Sequence, residues 1–566
     1  MDESIETNTE RKDDKMEPAQ TLNGMIFADM LRAGAINLRS HKQAINNLNV
    51  FPIPDGDTGD NMLLTIMGGI DVINNEMSSL TEVSRKAADG MLLSARGNSG
   101  VILSQFFEGI AEGFKDMDEA DCSQVENAMQ CGVQCAYHAV MEPTEGTILT
   151  VARCACEYAA ERSSENLDDY MENFLAEAKR TLNRTPEMLP VLKKAGVVDS
   201  GGAGLIYIIE GMRKAVKGEF NPDENKLFYE TPTQEINLDL FTEDSILEYG
   251  YCTELLLRLQ KGKTDPEAFD VNTITDYLKK IGDSVVAFKT GSIVKIHVHT
   301  MTPDKVLGFC QMYGEFLKIK IENMSLQHNN VSLKGVNASA KPETERKKYG
   351  IAAVCSGEGI KDLFTDRGAD IIVDGGQSMN PSTEDFLNAF RQINAETILV
   401  FPNNANVILS AKQAAGLYKA ADVRVIESKN MGEGYAALSM FDPNADSTDL
   451  LEEELRNAMQ GVVIAELSKC IRDAEMQEMQ IHAGDYIGFA GKELLSKAAD
   501  RFDALCATVD KLNFADHDIC ILIRGAEADN DEAEKAAAYI RDCYPGKEVY
   551  VVEGLQEIYD YILILE

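Results

Sequence analysis

Between residues 21 and 217, apolar residues recur at intervals of three and four, which is the spacing of amphipathic helices. The segments MIFADMLRAGAINLRSH, VILSQFFEGIAEGF and LDDYMENFLAEAKRTLN show this spacing. Loops rich in Gly, Asp, Asn and Pro separate such segments, at residues 51–59, 97–100, 143–146 and 199–202. The pattern predicts an all-α domain over residues 21–217, followed by a polar linker up to residue 230.

The pattern changes in the middle of the chain. Residues 284–288 and 293–299 are typical of strands, and residues 303–313 are typical of a helix. These elements predict an α+β middle domain over residues 231–335. The next residues, VNASAKPETERKK, have no apolar periodicity and predict a second linker, at residues 336–348.

The last part of the chain, residues 349–566, alternates short apolar runs with helical sequence. IAAVCSG, ADIIVDGG, TILVFPNN and VRVIES are such runs, and CILIRG and VYVVEG follow near the end. Alternation of this kind indicates an α/β domain with a largely parallel sheet. The chain as a whole is therefore expected to be a multidomain protein.

Charge and composition narrow the classes of function. Acidic residues number 93 and basic residues 54, a net charge of −39. This balance argues against non-specific nucleic-acid binding and against docking on anionic lipid. No uncharged apolar run approaches the roughly 20 residues of a membrane span. Residues 1–20 are polar and acidic and lack a signal peptide, so we expect a disordered tail and a cytoplasmic protein with scattered, reduced Cys residues.

The segment NVFPIPDGDTGDNMLLTI, residues 49–66, places Asp55, Asp57 and Asp60 on one Gly-rich turn before a helix. Carboxylates this close repel one another unless a cation neutralises them, and oxygen ligands suit Mg²⁺ or Ca²⁺. A calcium-binding EF-hand needs Glu eleven residues after the first Asp, where Ile66 stands. The turn therefore predicts either a magnesium site or a solvated turn that caps the helix.

Three further Gly-rich loops lie in the same helical region. SARGNSGVILSQFF places Gly97–Gly100 directly before an apolar helix, where backbone N–H groups can bind phosphate, and Arg96 adjoins the turn. MEPTEGTILTVAR and GVVDSGGAG are the other two. Each loop alone is consistent with a simple helix start. Four in one helical domain favour a shared phosphate-binding function.

Together the four segments closely resemble the nucleotide-binding domain of the DhaL/DAK2 family, the ATP-binding part of dihydroxyacetone kinases. With two further domains, the chain resembles the family of ATP-binding subunits of bacterial fatty acid kinases. The resemblance implies a closed barrel of antiparallel helices that binds ATP and two Mg²⁺ ions at one end.

The resemblance also implies roles for single residues. Asp55 and Asp57 match the two metal-binding carboxylates, and Asn49 is the nearest match to a third, upstream Mg²⁺ ligand. Thr58 replaces the family's His. The residues implied in nucleotide binding are Thr58, Asn61, Asn98, Ser99, Gly146, Thr147, Asp199 and Gly201. We expect Asp55, Asp57 and Arg96 to be catalytic, because phosphoryl transfer depends on positioning and charge neutralisation.

The expected reaction transfers the γ-phosphate of ATP to the carboxylate of a fatty acid and gives an acyl phosphate. A carboxylate is already ionised at neutral pH, so no general base is required. The helical sequence shows no lipid tunnel, and the resemblance implies a separate DegV-like fatty-acid-binding partner and a homodimer. The alternatives are a non-catalytic scaffold that binds Mg-nucleotide, or a dihydroxyacetone-kinase-like phosphotransfer subunit.

In the middle domain, IVKIHVHT places His297 and His299 on one face of a predicted strand. With Cys252 they form a plausible zinc ligand set. The alternative is a hydrogen-bonded His pair beside a small buried Cys. The resemblance, in which the middle domain carries the motifs YCTE and HVHT, favours zinc.

In the C-terminal domain, GGQSMNPSTEDF and FPNNANVILSAKQAAGL each lie where a strand meets a helix, the usual ligand position in α/β sheets. Helix capping is the alternative. These motifs resemble the N-terminal half of DegV-like lipid-binding proteins and imply a domain used for docking or dimerisation. The candidate contacts are Ser378, Asn380, Ser382, Asn403, Asn404 and Asn406.

Overall fold

The computed structural model describes residues 21–49, 57–74, 77–162, 164, 166–220, 251–265, 269–290, 292–323, 346–376, 380–477, 479–491, 493–514 and 516–566. The chain divides into two compact units. One comprises residues 1–228 and 346–566, and the other comprises residues 229–345. The N-terminal helical part and the C-terminal α/β part therefore belong to the same compact unit.

The N-terminal part is helical, as its sequence predicts, with one short antiparallel pair of strands, β1 (Leu22–Asn23) and β2 (Glu119–Ala120). Its helices are α1 (Gly24–Asn46), α2 (Thr58–Asp71), α3 (Leu80–Ser94), α4 (Gly97–Gly113), α5 (Cys122–His138), α6 (Ile148–Ala160), α7 (Leu167–Met188), α8 (Pro190–Ala195) and α9 (Ser200–Val216).

Each helix from α1 to α7 packs against the next one in the chain, α7 packs against α9, and α9 packs against α1, so the contacts form a closed ring. The seam between α1 and α9 is tight. At Gly211 a Cβ atom would lie 2.3 Å from the carbonyl oxygen of Ala33, so only glycine fits there. Apolar side chains such as Leu31, Leu38 and Phe107 are buried inside this ring. The N-termini of α2, α4, α6 and α9 carry the loops that the sequence singles out.

The middle unit has a four-stranded antiparallel sheet in the order β4-β5-β3-β6 and two helices. Its elements are β3 (Tyr251–Leu259), α10 (Asn272–Leu278), β4 (Gly282–Thr290), β5 (Ile293–Thr300), α11 (Pro303–Cys310) and β6 (Gly314–Asn323). Leu257, Ile296 and Val298 of the sheet are buried in one core with Ile274 and Val306 of the helices. The predicted helix over 303–313 ends three residues early, at Cys310.

The C-terminal part begins with a four-stranded parallel sheet in the order β10-β9-β7-β8. The elements of this half are β7 (Lys347–Cys355), α12 (Glu358–Asp366), β8 (Ile371–Asp374), α13 (Thr383–Gln392), β9 (Ala395–Phe401), α14 (Ile408–Leu417), β10 (Asp422–Val425), α15 (Met431–Ser439) and α16 (Thr448–Gln460). Strand β7 takes up the last two residues of the predicted linker.

A second sheet of six strands follows, in the order β15-β14-β11-β18-β16-β17. The remaining elements are β11 (Val463–Lys469), β12 (Ala474–Met476), β13 (Met479–Ile481), β14 (Tyr486–Ala490), β15 (Glu493–Ala498), α17 (Arg501–Val509), β16 (Ile519–Arg524), α18 (Asn530–Cys543), β17 (Glu548–Glu553) and β18 (Tyr561–Leu565).

The expectation of a largely parallel sheet is wrong for this second sheet. Among its described strands, β16 and β17 pair in parallel, and the other neighbouring pairs are antiparallel. For β14 and β15 the length of the connection explains the difference. Strands β14 and β15 are joined by two residues, a length that permits only antiparallel neighbours. Within the described residues, the helices are too short or too polar to cross a lipid bilayer.

Candidate functional site

The first turn of α4 lies directly on α2. Gly97 has φ +57°, and a Cβ atom there would be 2.6 Å from Asn61 Nδ2. A Cβ atom on Gly100 would be 2.5 Å from Thr65 Oγ1. The predicted phosphate-binding turn, with Asn98 and Ser99, is therefore the start of a helix whose backbone closely approaches a neighbouring helix, and glycine is required at both ends.

The start of α9 meets the starts of α2 and α6. Ser200 Oγ donates a hydrogen bond to Thr58 Oγ1 over 3.2 Å. The Asp199 carboxylate accepts hydrogen bonds from the backbone N–H groups of Gly202, at 2.7 Å, and of Ile148. Burial raises the pKa of Asp199 to about 6, against these two hydrogen bonds, which lower it. Asp199 therefore caps two helices at once. The sequence analysis predicted a nucleotide contact for Asp199 and did not predict this capping role.

The third loop completes this cluster. Gly146 has φ +89°, and its N–H donates to Thr150 Oγ1 over 2.8 Å. Thr147 is the residue before α6. Gly201 lies against Ile148, where a Cβ atom would be 3.3 Å from the Ile148 Cβ. The structure thus brings the N-termini of α2, α4, α6 and α9 to one end of the ring. Helix N-termini carry partial positive charge, which suits a polyphosphate.

Of the predicted metal-binding residues, Asp55 lies outside the described residues. Asp57 is the residue before α2, and one of its carboxylate oxygens, Oδ2, accepts a hydrogen bond from Asn380 Nδ2. The backbone carbonyl of Asn49 accepts a hydrogen bond from Arg472 Nη1 over 2.6 Å. The Asp57 carboxylate directly precedes α2, one of the four helices whose N-termini meet. A carboxylate at such a position fits a magnesium ion that is bound together with nucleotide phosphates.

Asp60, the third carboxylate of the turn, has a different role. It accepts hydrogen bonds from Lys42 Nζ at 2.7 Å and from Asn46 Nδ2 at 2.6 Å. Asn46 Oδ1 in turn accepts from the Gly59 N–H at 2.7 Å. Asp60 therefore anchors the start of α2 on α1, and its carboxylate is engaged by the protein itself.

Arg96 points toward the C-terminal domain. Its Nη1 donates to the carbonyl oxygen of Asn380 over 2.7 Å, and its Nη2 lies 3.4 Å from a carboxylate oxygen of Asp385. Asn98 Nδ2 donates to Asn406 Oδ1 over 3.4 Å. Two of the predicted kinase-site residues thus contact residues that the sequence analysis assigned to a separate domain.

The other C-terminal candidates have structural partners. Ser382 caps α13 in a reciprocal pair of hydrogen bonds with Asp385, as the capping alternative predicts. Asn403, at φ +54°, donates to the carbonyl of Val354 over 2.9 Å and accepts from Ser428 Oγ over 2.7 Å. Ser378 lies outside the described residues. Sequence reasoning missed the contact of Asn380 with Asp57, because no local pattern signals a contact between residues so far apart.

A cleft opens at the carboxyl ends of β7, β8 and β9, against the second sheet. Asn403, Asn404, Glu466 and Gln556 line it. Glu466 is 8% exposed, and burial together with the nearby Glu433 raises its pKa to about 8. The Glu466 carboxyl is therefore largely protonated at neutral pH.

The predicted zinc residues can be placed by backbone register alone, because the side chains of Cys252, His297 and His299 lie outside the described part of the structure. Cys252 on β3 pairs directly with His299 on β5, and His297 follows two positions away. Directly paired and alternate residues share a face of the sheet. The backbone therefore places all three on one face. Among the side chains that are described, no three His, Cys, Asp or Glu residues form a metal-binding group.

Three known domain families match successive parts of the chain. The DAK2 domain family matches residues 52–214. The FakA-like middle domain of fatty acid kinase matches residues 248–331, and the FakA-like C-terminal domain matches residues 350–566. The helical part thus defines a DAK2-domain protein. The chain belongs to the FakA-like family of fatty acid kinase proteins.

Relatives match along almost the whole chain. An uncharacterized protein of Staphylococcus haemolyticus, SH1689, is 38% identical over 555 residues, which cover 96% of this chain and 99% of the relative. Protein YloV of Bacillus subtilis is 38% identical over 562 residues, 97% of this chain and 100% of the relative.

Two solved structures are each similar to part of the chain. The fatty acid kinase B3 protein of Streptococcus pneumoniae, loaded with linoleic acid, is 13% identical with a TM-score of 0.29, over 39% of this chain and 99% of that chain. DegV, a fatty acid binding protein from Bacillus subtilis, is 11% identical with a TM-score of 0.31, over 39% and 99%.

Proposed function

We propose that this chain is the ATP-binding subunit of a fatty acid kinase. It transfers the γ-phosphate of ATP to the carboxylate of a fatty acid presented by a DegV-like partner. The observation that carries this proposal is the meeting of four helix N-termini beside Asp57, in a chain of the FakA-like family. The homodimer expected from the sequence stays a prediction.

Asp55 and Asp57, with Asn49 as a third candidate ligand, would hold magnesium against the nucleotide. When bound, magnesium neutralises phosphate charge and orients the terminal phosphate. The first turn of α4 presents backbone N–H groups to phosphate oxygens, because glycine at positions 97 and 100 lets that turn lie on α2. Thr58, at the start of α2, places a hydroxyl at the same end of the helix ring.

The reaction requires few further groups from the protein. A fatty acid carboxylate oxygen forms a bond to the γ-phosphorus, the bond from this phosphorus to the β,γ-bridging oxygen breaks, and ADP leaves. No proton has to be removed from the nucleophile. Arg96 is proposed to offset negative charge that develops on the transferring phosphoryl group.

We also propose a zinc site in the middle domain, formed by Cys252, His297 and His299. The register that pairs Cys252 with His299 supports it, because one thiolate and two imidazoles on one sheet face are a suitable zinc donor set. This site is outside the phosphoryl-transfer chemistry described above.

The decisive experiment combines the purified chain with ATP, Mg²⁺, radiolabelled fatty acid and a DegV-like fatty-acid-binding protein. Hydroxylamine traps acyl phosphate as a hydroxamate, and omission of the partner is the control. Partner-dependent hydroxamate supports the proposal. Absence of product with retained Mg-nucleotide binding contradicts it, and it favours either another acceptor, such as a small ketone, or a scaffold without turnover.

A further inference from the structure

The C-terminal domain reaches the predicted metal-binding loop through residues 380–385, which we name the bridging segment. Asn380 is its first residue and is 1% exposed. Its side-chain Nδ2 donates to Asp57 Oδ2, and its backbone carbonyl accepts from Arg96 Nη1 over 2.7 Å. One buried residue of the C-terminal domain thus contacts two residues that the proposed function makes catalytic.

The amide of Asn380 is held in one orientation by its neighbours. Its Oδ1 accepts from Asn404 Nδ2 over 3.4 Å, and Asn404 Oδ1 accepts from the Asn406 N–H over 2.8 Å. Asn406 Oδ1 accepts from Asn98 Nδ2 over 3.4 Å, which returns the chain of amides to the first turn of α4. Because Oδ1 of Asn380 faces Asn404, its Nδ2 faces Asp57.

The bridging segment is also fixed to the helical domain through its backbone. The Thr383 N–H donates to the carbonyl of Ala95 over 3.2 Å, and Asp385 lies 3.4 Å from Arg96 Nη2. Farther along the same interface, Gln413 Nε2 donates to the carbonyl of Leu92 over 3.4 Å. The Asn380–Asp57 hydrogen bond is therefore part of an extended, partly buried contact between the two domains.

A carboxylate that binds a metal usually accepts a hydrogen bond from a neighbouring group, which fixes its orientation. The hydrogen bond from Asn380 to Oδ2 sets the direction of Asp57 Oδ1 in this way. We infer that Asn380 is a positioning residue that orients Asp57 toward its cation, so that helical and C-terminal domains together build the phosphoryl-transfer site. The inference rests on the proposed function for the identity of the site.

The test uses the full-length chain and measures binding of a non-hydrolysable ATP analogue by calorimetry at stepped Mg²⁺ concentrations. Asn380→Leu removes the amide at similar volume, and Asn380→Ala removes it with less bulk. Both are expected to raise the Mg²⁺ concentration for half-maximal binding by about tenfold or more, the usual loss when such a partner is removed. Analogue affinity at saturating Mg²⁺ should change much less.

Gln413→Ala is the matched control, because it removes an interdomain hydrogen bond remote from Asp57. It should leave the Mg²⁺ dependence unchanged. An equal shift in Gln413→Ala would show that only the looseness of the interface matters, and would overturn the inference. Unchanged Mg²⁺ dependence in both Asn380 variants would also overturn the inference. So would tighter Mg²⁺ binding with faster turnover, because that result would show that the Asn380 contact is inhibitory.

This readout separates the inference from the proposed function. If the Asn380 variants need more Mg²⁺ than wild type and the wild-type chain forms no acyl phosphate, the inference is supported and the proposed function is contradicted. Partner-dependent acyl phosphate with unshifted Asn380 variants supports the function and overturns the inference.

Discussion

The hydroxyl of Ser200 donates a hydrogen bond to the hydroxyl of Thr58, over 3.2 Å and across 142 positions of the chain. It joins the first turn of the last helix in the ring to the first turn of the second. The proposed nucleotide site is therefore assembled from distant segments and exists only when the ring is closed, so binding of Mg-nucleotide reports on the fold of the whole helical domain.

Replacement of both Asp55 and Asp57 by alanine should abolish phosphoryl transfer, because these carboxylates are the proposed Mg²⁺ ligands. The fold should survive, since the Asp57 side chain caps no backbone group of α2. Hydroxamate formation measures transfer, and circular dichroism measures the fold. Asp29→Ala, on a partly exposed turn of α1 where Asp29 pairs with Arg32, is the control. Wild-type turnover in the double variant would show that Asp55 and Asp57 are not the Mg²⁺ ligands.

Gly97→Ala should weaken Mg-nucleotide binding by about tenfold or more. Alanine at φ +57° is strained by about 1–2 kcal/mol, and its Cβ atom would lie 2.6 Å from Asn61 Nδ2, so the phosphate-binding turn must move. Gly196→Ala is a matched control, because Gly196 has φ +67° with nothing within 4 Å of its Cβ position. Calorimetric titration compares the two. If both variants bind nucleotide equally well, the turn does not contact phosphate.

Asp199→Ala should lower the free energy of unfolding by about 1–2 kcal/mol, as expected for loss of a helix cap. It should also weaken nucleotide binding, because α6 and α9 lose the carboxylate that joins their first turns. Asp529→Ala removes a comparable cap from α18, far along the chain, and should lower stability alone. Denaturant unfolding and nucleotide titration test this, and wild-type nucleotide affinity in Asp199→Ala would contradict it.

Glu466→Gln should change how stability depends on pH. The pKa of Glu466 is raised to about 8 in the folded state, above its ordinary value of 4.5. Between these values the folded state binds more protons than the unfolded state, so the contribution of Glu466 to stability falls as pH rises. The glutamine variant lacks this pH dependence. Its melting temperature relative to that of wild type should therefore rise by several degrees between pH 5 and pH 8, at about 2–4 °C per kcal/mol.

The exposed Glu493→Gln on β15 is the control for this pH experiment and should run parallel to wild type. Thermal unfolding by calorimetry gives the melting temperatures. A constant difference between Glu466→Gln and wild type across the range would show that Glu466 keeps an ordinary pKa in the folded protein.

Purified protein should contain about one zinc ion per chain, measured by inductively coupled plasma mass spectrometry. The variants Cys252→Ala and His297→Ala should each contain no zinc, because protein zinc sites use at least three protein ligands and each variant keeps two. Thr253→Val, next to Cys252 and on the opposite face of β3, is the control, and should keep its zinc. Zinc-free wild-type protein prepared without chelator would contradict the site.

Sequence periodicity predicted the helical domain because its helices bury one apolar face each, which leaves a three-and-four residue signature. It predicted β7, β8, β9 and β10 for the same kind of reason. It missed the antiparallel pairing of β11 with β14 and β18, because strand direction depends on connections and partners, which a single apolar run does not encode.

The candidate site shows the same division between local and distant information. The loops that begin α2, α4, α6 and α9 were found from their glycines and polar residues, since backbone approach and helix capping are local requirements. The contact of Asn380 with Asp57 could not be found this way. It depends on how two domains pack, and a buried asparagine at a strand-helix junction has the same local signature as an ordinary turn.

The position of β18 affects how the protein is made. Tyr561–Leu565 is fully buried and lies between β11 and β16 in the middle of the six-stranded sheet. During synthesis, β11, β14 and β15 emerge well before this strand and must wait for it before β16 and β17 can join them. The second sheet is therefore completed only after residue 565 has left the ribosome, and until then its apolar edges are exposed to chaperones and proteases.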